Sequence, residues 1–229
     1  HIVGQFLLQA DGAGFKARND GSTLASTDEW TSPIMAEVGP DGRVRAVKVL
    51  RGHPLFDETA LAAVRRWLEE CDAQFRFVLE LPQALARPGD AAQFDAHWAG
   101  FRALIEPLHA STTGLLLRVD AAAPPQRDWL AHALSVLTSD KPVCVDLPSE
   151  TWHTPSVLAV LNDTGAGLCW HTDAPGPPRP GGRFMLGLTR GGNAKALRRH
   201  IETLAAWQQG DALAGLFVDA PGHPGMAEE

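Results

Sequence analysis

Four acidic or imidazole side chains stand at the ends of apolar runs. Glu80 closes FRFVLE, Asp146 closes PVCVD, His171 follows GLCW and Asp219 closes LAGLFVD. Carboxylates and an imidazole gathered in one cleft can divide into a proton donor and a proton acceptor, because neighbouring charges push their pKa values apart. The expectation is that Asp146 and His171 transfer protons, with Glu80 as an orienting or second acidic group. Glu80 and Asp146 could equally be inward residues paired with arginines. No HExxH or comparable spacing is present, so no metal site is expected. Cys144 and Cys169 lie inside apolar runs and no GxSxG elbow occurs, which sets nucleophilic catalysis aside.

A second chemistry is anion binding by TRGGNAKAL, residues 189–197. Gly191 and Gly192 would let the backbone approach a ligand closely, Asn193 could cap the following helix, and Arg190 adds charge for a phosphate or carboxylate. Arg51 would clamp the same anion from another strand end. The plainer reading is a turn with an Asn cap. Trp152 adjoins a strand end and is a candidate stacking surface, and Asp219 a further ligand-binding group. The sequence names no cofactor.

The elements that must position these groups alternate. Strands are expected at 2–9, 44–50, 75–81, 114–120, 142–147, 167–172, 184–189 and 213–219, several as unbroken apolar stretches suited to a parallel sheet covered on both faces. Helical periodicity fills 57–70, 91–109, 126–137, 155–162 and 193–208, with Pro155 where a first turn tolerates it. Eight strands alternating with helices predict an α/β fold, a (β/α)8 TIM-barrel-like single domain over residues 1–229. It is abbreviated: the proline-rich stretch 174–182 replaces one helix, and the last helix is short or missing. Residues 10–27 read as a long loop. In such a barrel the carboxyl ends of the strands share one mouth, so the scattered polar residues would meet there.

Composition narrows the partners. A chain of 229 residues that is 45% hydrophobic and 21% charged can bury a sizeable core. With 27 acidic against 20 basic residues its net charge is −7, which disfavours nucleic acid and anionic membranes as partners. No apolar run approaches the roughly 20 residues that span a bilayer. Three cysteines without CxxC spacing suggest reduced thiols. These features lead to the expectation of a soluble, cytoplasmic protein that binds a small molecule, phosphorylated or carboxylated. A non-catalytic binding or structural barrel is the alternative, and nucleic-acid processing is the least supported. Oligomeric state is not legible.

The runs FDETALAAVRRWLEECDAQFRFVLELPQ, PLHASTTGLLLRVD, VCVDLPSETWHTPSVLAVLNDTGAGLCW, RFMLGLTR and LFVDAPGH together resemble the YecE-like family, domain of unknown function 72, across about residues 44–229. The resemblance implies a TIM barrel without assigned activity. Polar positions depart from the family pattern. Its Glu-Phe-Arg-His-Pro-Ser-Trp after strand five is here Asp146 to Trp152. Its Tyr-Leu-Arg-Leu-His-Gly on strand seven is Met185 to Arg190. Its third-strand lysine corresponds to Glu80, and its paired asparagines to Asp219 and Ala220. This implies a changed specificity or lost catalysis. Residues 38–67 also resemble, over that short window, the TonB C-terminal domain.

Overall fold

The computed structural model describes five strands in the amino-terminal part, β1 (Leu8–Ala10), β2 (Phe15–Ala17), β3 (Thr23–Leu24), β4 (Ile34–Val38) and β5 (Val44–Leu50), and then residues 76–174, 176–179, 181–189, 194–207 and 212–218. The helix expected over 57–70 lies outside the described residues. From β6 (Arg76–Glu80) onward strands and helices alternate: α1 (Gln83–Ala86), α2 (Ala91–Ile105), β7 (Thr112–Arg118), α3 (Arg127–Thr138), β8 (Val143–Asp146), α4 (Pro155–Thr164), β9 (Gly167–Leu168), β10 (Trp170–His171), β11 (Phe184–Thr189), α5 (Ala194–Trp207) and β12 (Leu213–Val218).

Local chemistry sets the helix boundaries. Asp90 caps α2, its carboxylate accepting from the backbone N–H of Ala92 and Gln93 at 2.8 and 3.1 Å. The helix was expected to reach His109. It instead tightens into a 3-10 segment, Glu106–Ser111, where Pro107 supplies no N–H to the α-helical ladder. Thr154 caps α4 ahead of Pro155, and Gly165 ends it in the left-handed region at φ 69°.

Nine strands form one sheet in the order β10-β11-β12-β4-β5-β6-β7-β8-β9. All pairs are parallel except those of β4, which runs antiparallel to both β12 and β5. The two end strands are separated by Cys169 alone. Its N–H still reaches Val145 O at 2.8 Å, and Thr172 N–H reaches Leu188 O at 2.9 Å, so one extended segment serves β8 with its first half and β11 with its second. Gly167 makes this possible. A Cβ there would fall inside the carbonyl oxygen of Phe184.

Two expectations fail near the amino end. The opening strand was placed at 2–9, but Leu8–Ala10 pairs with β2 in a separate antiparallel sheet of β1-β2-β3, and β4 takes the place beside β12. The apolar run of β4 and the strand Val44–Leu50 flank Gly-Pro-Asp-Gly, hairpin chemistry that outcompetes a parallel partner from farther away. Residues 10–27 are likewise not one loop, because β2 and β3 lie within them. The proline-rich stretch forms no helix among its described residues, as expected. Two indoles hold it: Trp170 Nε1 donates to Gly176 O at 3.2 Å and Trp207 Nε1 to Arg179 O at 2.8 Å.

The alternation of side chains divides the sheet into two faces. On one, Leu79, Leu115, Leu117, Val143 and Val145 pack with Phe94, Trp98, Trp129, Leu134, Val157 and other residues of α2, α3 and α4. Met185, Ala214 and Leu216 pack likewise against Leu197 and Leu204 of α5. On the other, Val78, Leu116, Cys144, Cys169, Phe184, Leu186 and Leu188 form a buried cluster drawn from the strand side of the molecule alone.

Candidate functional site at the strand ends

Moving two residues along each strand from that apolar cluster keeps the same face and changes the chemistry. Val78 gives way to Glu80, Leu116 to Arg118, Cys144 to Asp146, and Cys169 to His171. Four polar side chains thus cap the cluster at the carboxyl ends of β6, β7, β8 and β10. Arg118 and Asp146 are register partners on neighbouring strands.

Asp146 is the hub. Its Oδ2 accepts from Arg118 Nε at 2.8 Å, and its Oδ1 pairs with His171 Nε2 at 2.9 Å. Arg118 Nη1 also lies 3.7 Å from Glu80 Oε1. Burial grades outward: the Asp146 side chain is 3% exposed, Arg118 32% and His171 42%. A carboxylate this buried needs charged partners to stay ionised, and it has two.

The titration behaviour follows from this geometry. Burial by itself would raise the Asp146 pKa, but the hydrogen bond from His171 and the charge of Arg118 outweigh it and hold the carboxyl below its ordinary value. For His171 the hydrogen bond to Asp146 dominates. It outweighs burial, and with the charges of Asp146 and Asp173 raises the imidazole pKa. The two shifts run together: an anionic Asp146 favours the protonated form of His171, and Arg118 favours the ionised form of Asp146.

Of the expected site residues, the structure therefore brings Glu80, Asp146 and His171 into one linked set. Arg51, Arg190, Gly191, Gly192, Asn193 and Asp219 lie outside the described residues. Trp152 is fully buried, donates from Nε1 to Ala123 O at 3.1 Å and meets Trp129 edge-on at 6.3 Å, which leaves no open face for a ligand. Its 3-10 turn, Glu150–Trp152, swings it away from the strand end into the helix-side core. Arg118, which links the set, was missed. The signal was a cation in the middle of GLLLRVD, which an apolar strand tolerates only with a partner. Asp120, the end of the strand expected at 114–120, lies beyond β7, where it accepts from Ala122 N–H in a turn and pairs with Arg87 at 3.4 Å. A separate cleft of about 360 Å³ is lined by Gln83, Arg87, Asp90, Gln93, His97 and neighbours, and includes none of the four linked residues.

Comparison with known proteins adds a family to this geometry. The model of the family described as "Protein of unknown function DUF72" matches residues 57–224. The chain belongs to the DUF72 family. The YecE-like resemblance of the sequence is to this same family. A second model, "Domain of unknown function (DUF7133)", matches residues 1–52. Among solved structures, a DUF72 family protein of Enterococcus faecalis V583 superposes with a TM-score of 0.55 at 13% identity, over 79% of this chain and 87% of that one. A DUF72 family protein of Thermotoga maritima MSB8 gives 0.50 at 16% identity, over 65% of this chain. The chain spans 61% of the length of the Thermotoga protein, less than two thirds. At these identities the likeness concerns the α/β fold alone. A search of curated proteins found no match. No helix among the described residues is long and apolar enough to cross a membrane.

Proposed function

We propose that this DUF72 protein is an abbreviated (β/α)8 barrel whose carboxyl-end mouth binds a small anionic or polyhydroxylated ligand, and that His171 donates a proton to an oxygen of that ligand. Closure is supported by β9 and β10 being halves of one segment at opposite ends of the strand order, and by an interior cluster to which, among the described residues, no helix contributes. The antiparallel β4 takes one of the eight places.

The observation that carries the catalytic reading is the pairing of a buried Asp146 with a half-open His171 at 2.9 Å. Asp146 engages Nε2, which leaves Nδ1 as the ring nitrogen free to exchange protons with a ligand. Its raised pKa keeps His171 protonated to higher pH, which suits the acid role and adds attraction for an anion. Arg118 and Glu80 hold Asp146 in place. Arg51, Arg190 and the Gly191–Gly192–Asn193 turn complete the reading as anion contacts.

An NMR titration of the histidine side chains tests it, with and without inorganic phosphate, sugar phosphates and small dicarboxylates. His171 should titrate above its ordinary 6.5, and at least one of these anions should shift its signals, in a way lost in Asp146→Asn. Anions that perturb other histidines and leave His171 unmoved would overturn the proposal. Binding that moves His171 without turnover of any bound compound would favour the non-catalytic barrel.

A further inference from the structure

The Asp146–His171 pair sits on top of a second pair. Cys144 is two residues before Asp146 on β8, and Cys169 two residues before His171 on the β9–β10 segment, so the thiols lie one layer beneath the carboxylate and the imidazole. Their sulfurs are 3.2 Å apart and both are buried free thiols. Leu186 N–H donates to Cys144 Sγ at 3.3 Å. Val78, Leu116, Phe184, Leu186 and Leu188 enclose them.

The register decides what such a pair can do. Cys144 faces Gly167, not Cys169. With strands about 4.8 Å apart and a two-residue step of about 6.6 Å, the two Cα atoms stand roughly 8 Å apart. A disulfide accepts at most about 6.8 Å, so closing the bond would drag one strand along the other. Widening is easier than closing. A two-coordinate thiolate–metal–thiolate unit with bonds of about 2.2–2.3 Å spans about 4.5 Å between sulfurs. From 3.2 Å, reaching that span asks for rotation of the two side chains inside the apolar enclosure rather than for sliding of the strands.

We propose that Cys144 and Cys169 form a two-coordinate site for a monovalent soft metal ion, of the Cu(I) class, inside the strand cluster beneath the His171 mouth. Soft thiolates select such ions, and the apolar wall offers hard cations no oxygen ligands. Binding breaks both S–H bonds, forms two S–metal bonds and releases two protons to solvent, leaving a unit of net charge −1 with no change of oxidation state. Burial, the neighbouring Cys144 thiol and the Asp146 charge push the Cys169 thiol up, with Arg118 opposing them, so the metal ion itself must displace the proton. The site goes beyond the acid role of His171 and does not depend on it.

The test is an anaerobic titration of the reduced full-length chain with Cu(I), competed by bathocuproine disulfonate, in a Cys71→Ser background that leaves the two buried thiols as the sole cysteines. One equivalent of Cu(I) should be withheld from the chelator, and X-ray absorption on that sample should show two sulfur scatterers at about 2.2 Å. Cys144→Ser and Cys169→Ser should each abolish retention, whereas His171→Gln should keep it, which separates this site from the proposed proton donor. Free release of Cu(I), a nitrogen-containing shell, or retention in both serine variants would overturn the proposal. So would a Cys144–Cys169 disulfide formed in the folded protein by hydrogen peroxide, because it would show that the strands close as the register forbids. The absorption shell is read on the unmutated pair, so a serine variant that fails to fold leaves the outcome decided.

Discussion

Asp146 carries the largest load of any single side chain in the site, because it is nearly sealed from water and pairs with both Arg118 and His171. Removing it leaves Arg118 with Glu80 at 3.7 Å and His171 with no carboxylate at hydrogen-bond distance. Breaking a buried pair costs about 3–5 kcal/mol, and a third of the Arg118 side chain stays in water, so Asp146→Ala should cost about 2–3 kcal/mol. Urea denaturation at neutral pH reads this directly, and a loss below half a kilocalorie would show that the hub is not structural. The pH dependence has two limbs with opposite signs. The folded Asp146 pKa is lowered, so its contribution is full above the ordinary 3.8 and is lost as pH falls through the folded value. The folded His171 pKa is raised, so its contribution is full below the ordinary 6.5 and fades as pH rises through the folded value. Wild type minus His171→Gln should therefore shrink between neutral and alkaline pH. A difference that grows there would reverse the assignment. Asp146, His171 and Glu80 were legible in the sequence because a polar residue ending an apolar strand marks the strand's carboxyl end. Arg118 was not, because the run continued past it through Val119 to Asp120 and hid where the strand stops.

Among elements, the segment 167–171 works hardest for its length, since five residues serve two neighbouring strands. Its first residue must be glycine, as a Cβ at Gly167 would meet the Phe184 carbonyl, a backbone atom that no rotamer change can move. Overpacking of this kind costs about 1–3 kcal/mol where side chains can yield and more where backbone must shift, so Gly167→Ala should lose at least about 3 kcal/mol. The cap substitution Thr154→Ala, which removes one hydrogen bond of 3.3 Å to Val157 N–H, should cost only about 1 kcal/mol. Thermal denaturation of the two variants side by side checks the order, and equal losses would mean that β9 and β11 do not approach so closely. Helices were legible from their apolar periodicity and, for α4, from Pro155 at its first turn. The strand Ile34–Val38 was not. Five residues carry too little periodicity to stand out, and its partners come from 44–50 and from 213–218, so only tertiary pairing selects it.

The whole molecule has a seam that neither family model crosses, one ending at residue 52 and the other beginning at 57, yet the sheet does cross it. β4 and β5 belong to the amino-terminal segment and sit between β12 and β6 in the order of the large sheet, whereas among the described strands β1, β2 and β3 pair only with one another. Strand pairing therefore divides the first fifty residues into a part that completes the sheet and a part that does not. Deleting residues 1–30 removes no partner of the large sheet and should shift the melting midpoint by less than about 2 °C, within what a loss of a few tenths of a kcal/mol produces in a domain of this size. Deleting residues 1–43 also takes β4. It leaves the N–H and C=O groups of β12 and β5 without partners along two new edges, which should lower the midpoint by more than about 5 °C and promote aggregation, because unpaired edges recruit other chains. Calorimetry with light scattering on both truncations reads the contrast. If the shorter deletion already unfolds the protein, the three-stranded sheet is part of the same cooperative unit. If the longer one melts like the full chain, β4 does not bridge β12 to β5 and the proposed barrel loses its eighth strand.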